Sequence, residues 1–245
     1  MRLIFMLMFC QSVFAQQTLR VNRGEIFQLT GRNFSLDSLI LADSSQLLLD
    51  DHFDLTLIRS DYVSIGKGCA IIGIGKPGAQ GLSGANSTSA SYSDGRPGAA
   101  GFAGISLILN VRYLHLDGDF IINLTGGQGG DGGVGGAIAR TQRAQNPAVG
   151  TTSRYTTGVI PQPASTRDNS YGAPGAGGAG GRGGNLTFSF PGEYAALIKD
   201  HFIILNPGGN GGLPAIMDVP VDEQQTGRPG AKGRKGKVVM IPQRR

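Results

Sequence analysis

An all-β fold is predicted: a short-stranded β-solenoid or sandwich beside a bundle of about six glycine-rich polyproline-II helices. Three observations predict it. Glycine takes 41 of 245 positions and tryptophan none, so one thick core of large side chains is not available and stacked repeats are the alternative route to stability. Most of the glycines fall in six tracts, at 75–84, 95–104, 126–136, 172–184, 208–212 and 227–236. Between the tracts lie short apolar runs at regular spacing, with no helical period.

The N-terminus reads as an export signal over residues 1–15. Arg2 precedes the apolar run 3–9, and Val13 and Ala15 supply small residues ahead of Gln16-Gln17. The run is too short to span a bilayer, which takes about 20 apolar residues. Export to the cell surface, the extracellular space or a periplasm is therefore expected. The exported chain would keep Cys69 alone, and one thiol makes neither an internal disulfide nor a zinc site. Its neighbours Ala70-Ile71-Ile72 make it a core residue.

Residues 16–74 read as opening strand rungs, and 75–245 as a glycine-rich domain. A unit recurs: apolar strand, polar or glycine turn, apolar strand, then a glycine tract. It begins near Tyr62, Tyr113 and Tyr194, and 238–241 repeats its first strand in shortened form. The segment 196–205 is read as one such strand–turn–strand.

Tracts 75–84, 95–104 and 227–236 read Gly-X-Y, while 126–136 and most of 172–184 carry glycine at two of three positions. A period of three suits the polyproline-II helix, and glycine leaves a smooth stripe for a neighbouring backbone. Doubly glycine-rich tracts belong inside a bundle and Gly-X-Y tracts at its edges. A collagen triple helix needs longer unbroken runs, so the tracts are expected to pack within one chain.

Three loops link the tracts, at 85–94, 137–171 and 213–226. The second is 35 residues long, a length more typical of a functional or disordered segment than of a connector. Antiparallel tract pairs would bring all three loops to one end. Tyr92, Arg154, Tyr155, Arg167 and Tyr171 are the candidate ligand contacts, because Tyr and Arg dominate binding hot spots. Net charge is +5. Residues 227–245 contain no acid but hold Arg228, Lys232, Arg234, Lys235 and Lys237, a stretch suited to an anionic surface or to blocking unwanted edge pairing. Interleaved aromatics are absent, so no specific nucleic acid is expected.

Recognised chemistry is missing. Gly73-Ile74-Gly75-Lys76-Pro77-Gly78 has the letters of a dinucleotide fingerprint, but Pro77 excludes the helix that motif requires. Asp131 lies in a fragment of the calcium nonapeptide with glycine at the apolar position. His52, His115 and His201 show no metal spacing. His52 and His201 share an Asp-His-Phe context that suggests one position in a repeat. Asp50-Asp51 reads as a solvated turn. No enzyme, cofactor or metal is expected. Asn33, Asn86, Asn123 and Asn185 open sequons in letters only.

Tracts 126–136 and 172–184, the second running into Asn185-Leu186-Thr187-Phe188-Ser189-Phe190, resemble the N-terminal domain of the Obg GTPases, a bundle of six polyproline-II-type helices. No phosphate-binding motif accompanies them, so GTPase activity is not implied. The tract-and-loop plan also resembles phage tail-tip adhesins, whose distal loops bind a host receptor. Over about 38–242 the chain is most similar to exported bacterial collagen-like, glycine-rich β-solenoid proteins of unassigned function. These resemblances imply an adhesin-like module for a surface glycan or protein. The alternative is a self-assembling envelope or extracellular matrix protein, and an ice-binding face is a further class.

Overall fold

The computed structural model describes residues 17–86, 93–137, 171–216 and 226–244. Eleven strands run in order: β1 Thr18–Val21, β2 Ile26–Gln28, β3 Asn33–Leu41, β4 Gln46–Leu48, β5 Leu55–Ile65, β6 Cys69–Ile72, β7 Ser106–Leu116, β8 Phe120–Asn123, β9 Leu186–Pro191, β10 Phe202–Leu205 and β11 Val238–Gln243. A short 3-10 turn, Gly192–Tyr194, and one helix, α1 Ala195–His201, separate β9 from β10. The strands form a six-stranded sheet, ordered β1-β3-β5-β7-β9-β11, and a five-stranded sheet, ordered β10-β8-β6-β4-β2. All pairings are parallel, and consecutive strands alternate between the sheets.

Side-chain alternation fixes the register. In β5, Ile58, Val63 and Ile65 face inward while Arg59 and Tyr62 face out. Val63 pairs with Leu39 on one side and Leu114 on the other, and Ile58 stands beside Leu109. Leu109 in turn meets Phe188. In the smaller sheet Leu47, Ile71, Ile122 and Ile204 form one such column. A slip of one residue would turn every column to solvent, so burial specifies the pairing. Phe202 stacks on Phe188 at 5.1 Å between ring centres and meets Phe120 edge-on at 5.2 Å, which joins the two sheets.

These facts correct the predicted class. The described residues form two parallel sheets, of six and five strands, with one short helix: a parallel-sheet α/β arrangement. It is not an all-β solenoid or sandwich with polyproline-II helices, and the β-solenoid and collagen-like labels fall with that class. Short apolar runs at regular spacing carry no information on strand direction, which long-range pairing decides. The segment 196–205 is not strand–turn–strand either. Ala195, Ala196, Leu197 and Lys199 are good helix formers, and a helix of about two turns needs only Ile198 to reach the core. The leader at 1–15 lies outside the described residues.

Turns at the strand ends stack like the strands. Gly24, Ser44 and Gly68 all adopt left-handed backbone, with φ of 67°, 59° and 66°. Gly24 N–H donates to the Asp43 carbonyl, Ser44 N–H to that of Lys67, and Gly68 N–H to that of Asp119. Ser44 occupies a conformation that favours glycine, at a cost of about 1–2 kcal/mol for an ordinary residue. Cys69 is buried, with its thiol 3.0 Å from the Ala42 carbonyl.

Candidate binding surface

The glycine tracts leave the sheets as three outgoing and returning pairs. Tract 95–104 returns along 75–84: Phe102 N–H donates to Lys76, Ala99 to Ala79 and Arg96 to Leu82. Tract 126–136 bonds both, as Gly78 donates to Gln128 and Gly130 donates to Ala99. Tract 172–184 lies against it, with Gly178 donating to Gly130 and Gly181 to Gly127. Tract 208–212 adds Gly212 to Gly178, and 227–236 adds Gly230 to Gly212, while Gly177 donates outward to Arg228. A bond forms at every third residue, so backbone groups that a lone extended segment would leave to water are paired.

Contact is too close for side chains. A Cβ on Gly130 would fall on the Ala79 carbonyl oxygen, and one on Gly178 on that of Ala99. The two-of-three glycine tracts, 126–136 and 172–184, are the inner ones, each flanked by four others. The Gly-X-Y tracts turn their X and Y side chains outward. Arg228, Lys232, Arg234, Lys235 and Lys237 are all exposed on the last, edge tract, and no acid lies among residues 226–244.

The far ends of the tracts are tied together by polar side chains. Ala85 N–H donates to Ser93 Oγ at 2.7 Å, and Ala137 N–H to Asn86 Oδ1 at 2.8 Å. Ala173 N–H donates to Asp94 Oδ1 at 2.7 Å, and Leu213 N–H to Asp131 Oδ1 at 2.7 Å. Antiparallel bridges Ala137–Tyr171 and Ile216–Thr226 close the second and third pairs. All three connecting segments therefore start from one end of the bundle. Asn86, Ser93, Asp94 and Asp131 were missed as site-building residues. The usable signal was short polar side chains placed where the tracts meet the loops or facing a tract end.

Of the five candidate contacts, Tyr92, Arg154, Tyr155 and Arg167 lie outside the described residues. Tyr171 is half-buried at the base of its loop, bridged to Ala137.

The chain matches no family model, no curated protein and no solved structure.

A second polar cluster sits in the turn after β4. Asp50 is buried; its Oδ2 accepts from Gly31 N–H at 2.8 Å, and its Oδ1 from His52 N–H at 3.1 Å and meets His52 Nδ1 at 2.7 Å. The hydrogen bonds from His52, backbone first and then ring, with that of Gly31, hold the Asp50 carboxyl below the ordinary aspartate range. Asp51 pairs with Lys76 Nζ at 2.9 Å. Ligand atoms of Asp50, Asp51 and His52 lie within 4.8 Å of one another. Asp50 is engaged by the turn backbone and His52, and Asp51 by Lys76, so the cluster braces the turn and anchors the first glycine tract. Asp50 is thus not the solvated turn residue the sequence suggested. The shared Asp-His-Phe context also proves misleading. His52-Phe53 precedes β5, whereas His201 ends α1 and Phe202 opens β10 in the other sheet. Among the described residues no helix is long and apolar enough to cross a membrane.

Proposed function

We propose that the protein is an exported, adhesin-like binding module whose ligand contacts lie on the loops 85–94, 137–171 and 213–226. The observation that carries this reading is the display geometry: three connecting segments emerge from one end of a hydrogen-bonded glycine stem rooted in a two-sheet core. Rigid scaffolds that present loops together are a common plan for recognition. The ligand class is a surface glycan or protein, with Tyr92, Arg154, Tyr155, Arg167 and Tyr171 as contacts. The exposed row Arg228, Lys232, Arg234, Lys235 and Lys237 adds attraction to an anionic surface. The reading is tested with labelled chain 16–245 on whole cells and a glycan panel, beside a variant carrying a short Gly-Ser linker for 138–170. Saturable binding that disappears with the segment supports it. Equal binding by both proteins, or none by either, refutes it.

One observation favours self-assembly as the second reading. Val238 and Met240 in edge strand β11 stand in register with the fully buried Leu186 and Phe188, yet are 37% and 36% exposed. Among the described residues the smaller sheet has no strand opposite β11. A mass that rises with concentration in sedimentation, and stays constant in Val238→Lys, would favour this reading.

A further inference from the structure

The six-stranded sheet is not flat. Pairing between β3 and β5 skips Asp37 and Asp61, and pairing between β5 and β7 skips Asp61 and Arg112. The aligned breaks bend three neighbouring strands at the same level. On their outer side lies an open groove of about 420 Å³, reaching from Ser35 across Arg59 and Asn110 to Gln243 on β11. From β3 to β11 is four strand spacings, or about 19 Å at roughly 4.8 Å each. Such a groove suits an extended ligand lying across the strands rather than a compact one.

The chemistry of its walls narrows the ligand. Ser35, Arg59 and Asn110 stand side by side in register, and Asp37, Asp61 and Arg112 line the bend beside them. Asp37 accepts from Gln17 N–H at 2.7 Å, and Asp61 faces Arg112 at 3.7 Å. Of the four lining charges, Asp61 and Arg112 face each other, while Arg59 and Asp37 have no ion-pair partner among the described residues; Arg59 is the unpaired cation, a fork-shaped donor suited to a carboxylate. Beyond the groove's lining, one residue past Asp61 and Arg112, Tyr62 and Tyr113 are in-register neighbours, 42% and 48% exposed. Paired tyrosine rings offer an apolar body with a polar tip, which suits the mixed faces of a sugar ring. Two carboxylates in the wall, Asp37 and Asp61, accept hydroxyl hydrogens. The groove begins about 20 Å from the glycine stem, because six residues at roughly 3.3 Å each separate Gly104 from Asn110.

We propose that this groove is a second binding site, for an extended oligosaccharide bearing uronic acid carboxylates. Arg59 holds a carboxylate, Asn110 and Asp61 bond ring hydroxyls, and Tyr62 and Tyr113 carry sugar faces. The site is independent of the distal loops. Calorimetric titration of the full chain with an oligogalacturonate and a neutral gluco-oligosaccharide of equal length, at physiological salt, tests it. The uronate should bind better than the neutral sugar. Arg59→Gln should weaken it about ten-fold or more, as loss of a charge-assisted pair does. Asn110→Ala and the Tyr62→Ala/Tyr113→Ala pair should weaken it as well, all with unchanged melting. Binding should survive in the linker variant lacking 138–170 and in Arg228→Gln/Lys232→Gln/Arg234→Gln. No uronate binding by the wild type, equal affinity for the neutral sugar, or loss in the edge-tract triple variant instead of Arg59→Gln would overturn the proposal.

Discussion

Gly130→Ala tests the reading of the glycine stem at a crowded point inside it. The new methyl would land on the Ala79 carbonyl oxygen, a backbone atom that cannot swing aside. Tracts 75–84 and 126–136 must therefore separate locally. Gly130 N–H donates to Ala99 at 2.8 Å and its carbonyl accepts from Gly178 at 2.7 Å, so both bonds are strained together. At about 0.5–1.5 kcal/mol per bond, with about 1–3 kcal/mol for overpacking, a loss of about 3 kcal/mol is expected. For a chain of this size that lowers Tm by about 6–12 °C. Gln80→Ala on the exposed side of a neighbouring tract is the control, with a change within about 0.5 kcal/mol. Thermal melts followed by circular dichroism, and urea titrations, provide the measurement. If Gly130→Ala melts with the wild type, close tract contact is not what requires glycine there.

Two further outcomes follow from the turns. Ser44→Gly relieves the left-handed strain at φ 59° and leaves the exposed hydroxyl's surroundings otherwise intact; a gain of about 0.5–1 kcal/mol is expected after the extra unfolded-state freedom of glycine is counted, read as a higher urea midpoint. Asp50 is held below its ordinary range by His52 and Gly31. Its contribution to stability is present above the unfolded aspartate value, about 3.9, and is lost as pH falls through the lower folded value. Asp50→Asn should melt below the wild type at neutral pH, with the gap closing on acidification; a gap independent of pH would show that charge is not what Asp50 supplies.

The apolar strands were legible in the sequence as runs of inward-facing residues, and Cys69 as a core residue by its neighbours. The glycine period was legible as contact spacing: where two of three residues are glycine, as in 126–136, the tract has neighbours on several sides. The class assigned from those signals was wrong. Nothing in Leu39, Val63 and Leu114 states that their strands run parallel, and the apolar stretch Ala196–Ile198 suits a helix as well as a strand. The Asp-His-Phe repeat misled for a related reason, since identical letters at 51–53 and 200–202 sit in different sheets' surroundings.

By itself the sequence determined which residues could be buried and where the backbone had to approach another backbone, because side-chain polarity and the missing Cβ of glycine are local properties. Tertiary structure alone decided the parallel pairing, the alternation between two sheets, the joint exit of three loops from one end, and the bend that sets Arg59, Asn110 and Asp61 along one groove. Each depends on partners 20 to 82 positions away, and the position of such partners is set by the total of hydrogen bonds and buried area across the fold, which no local stretch encodes.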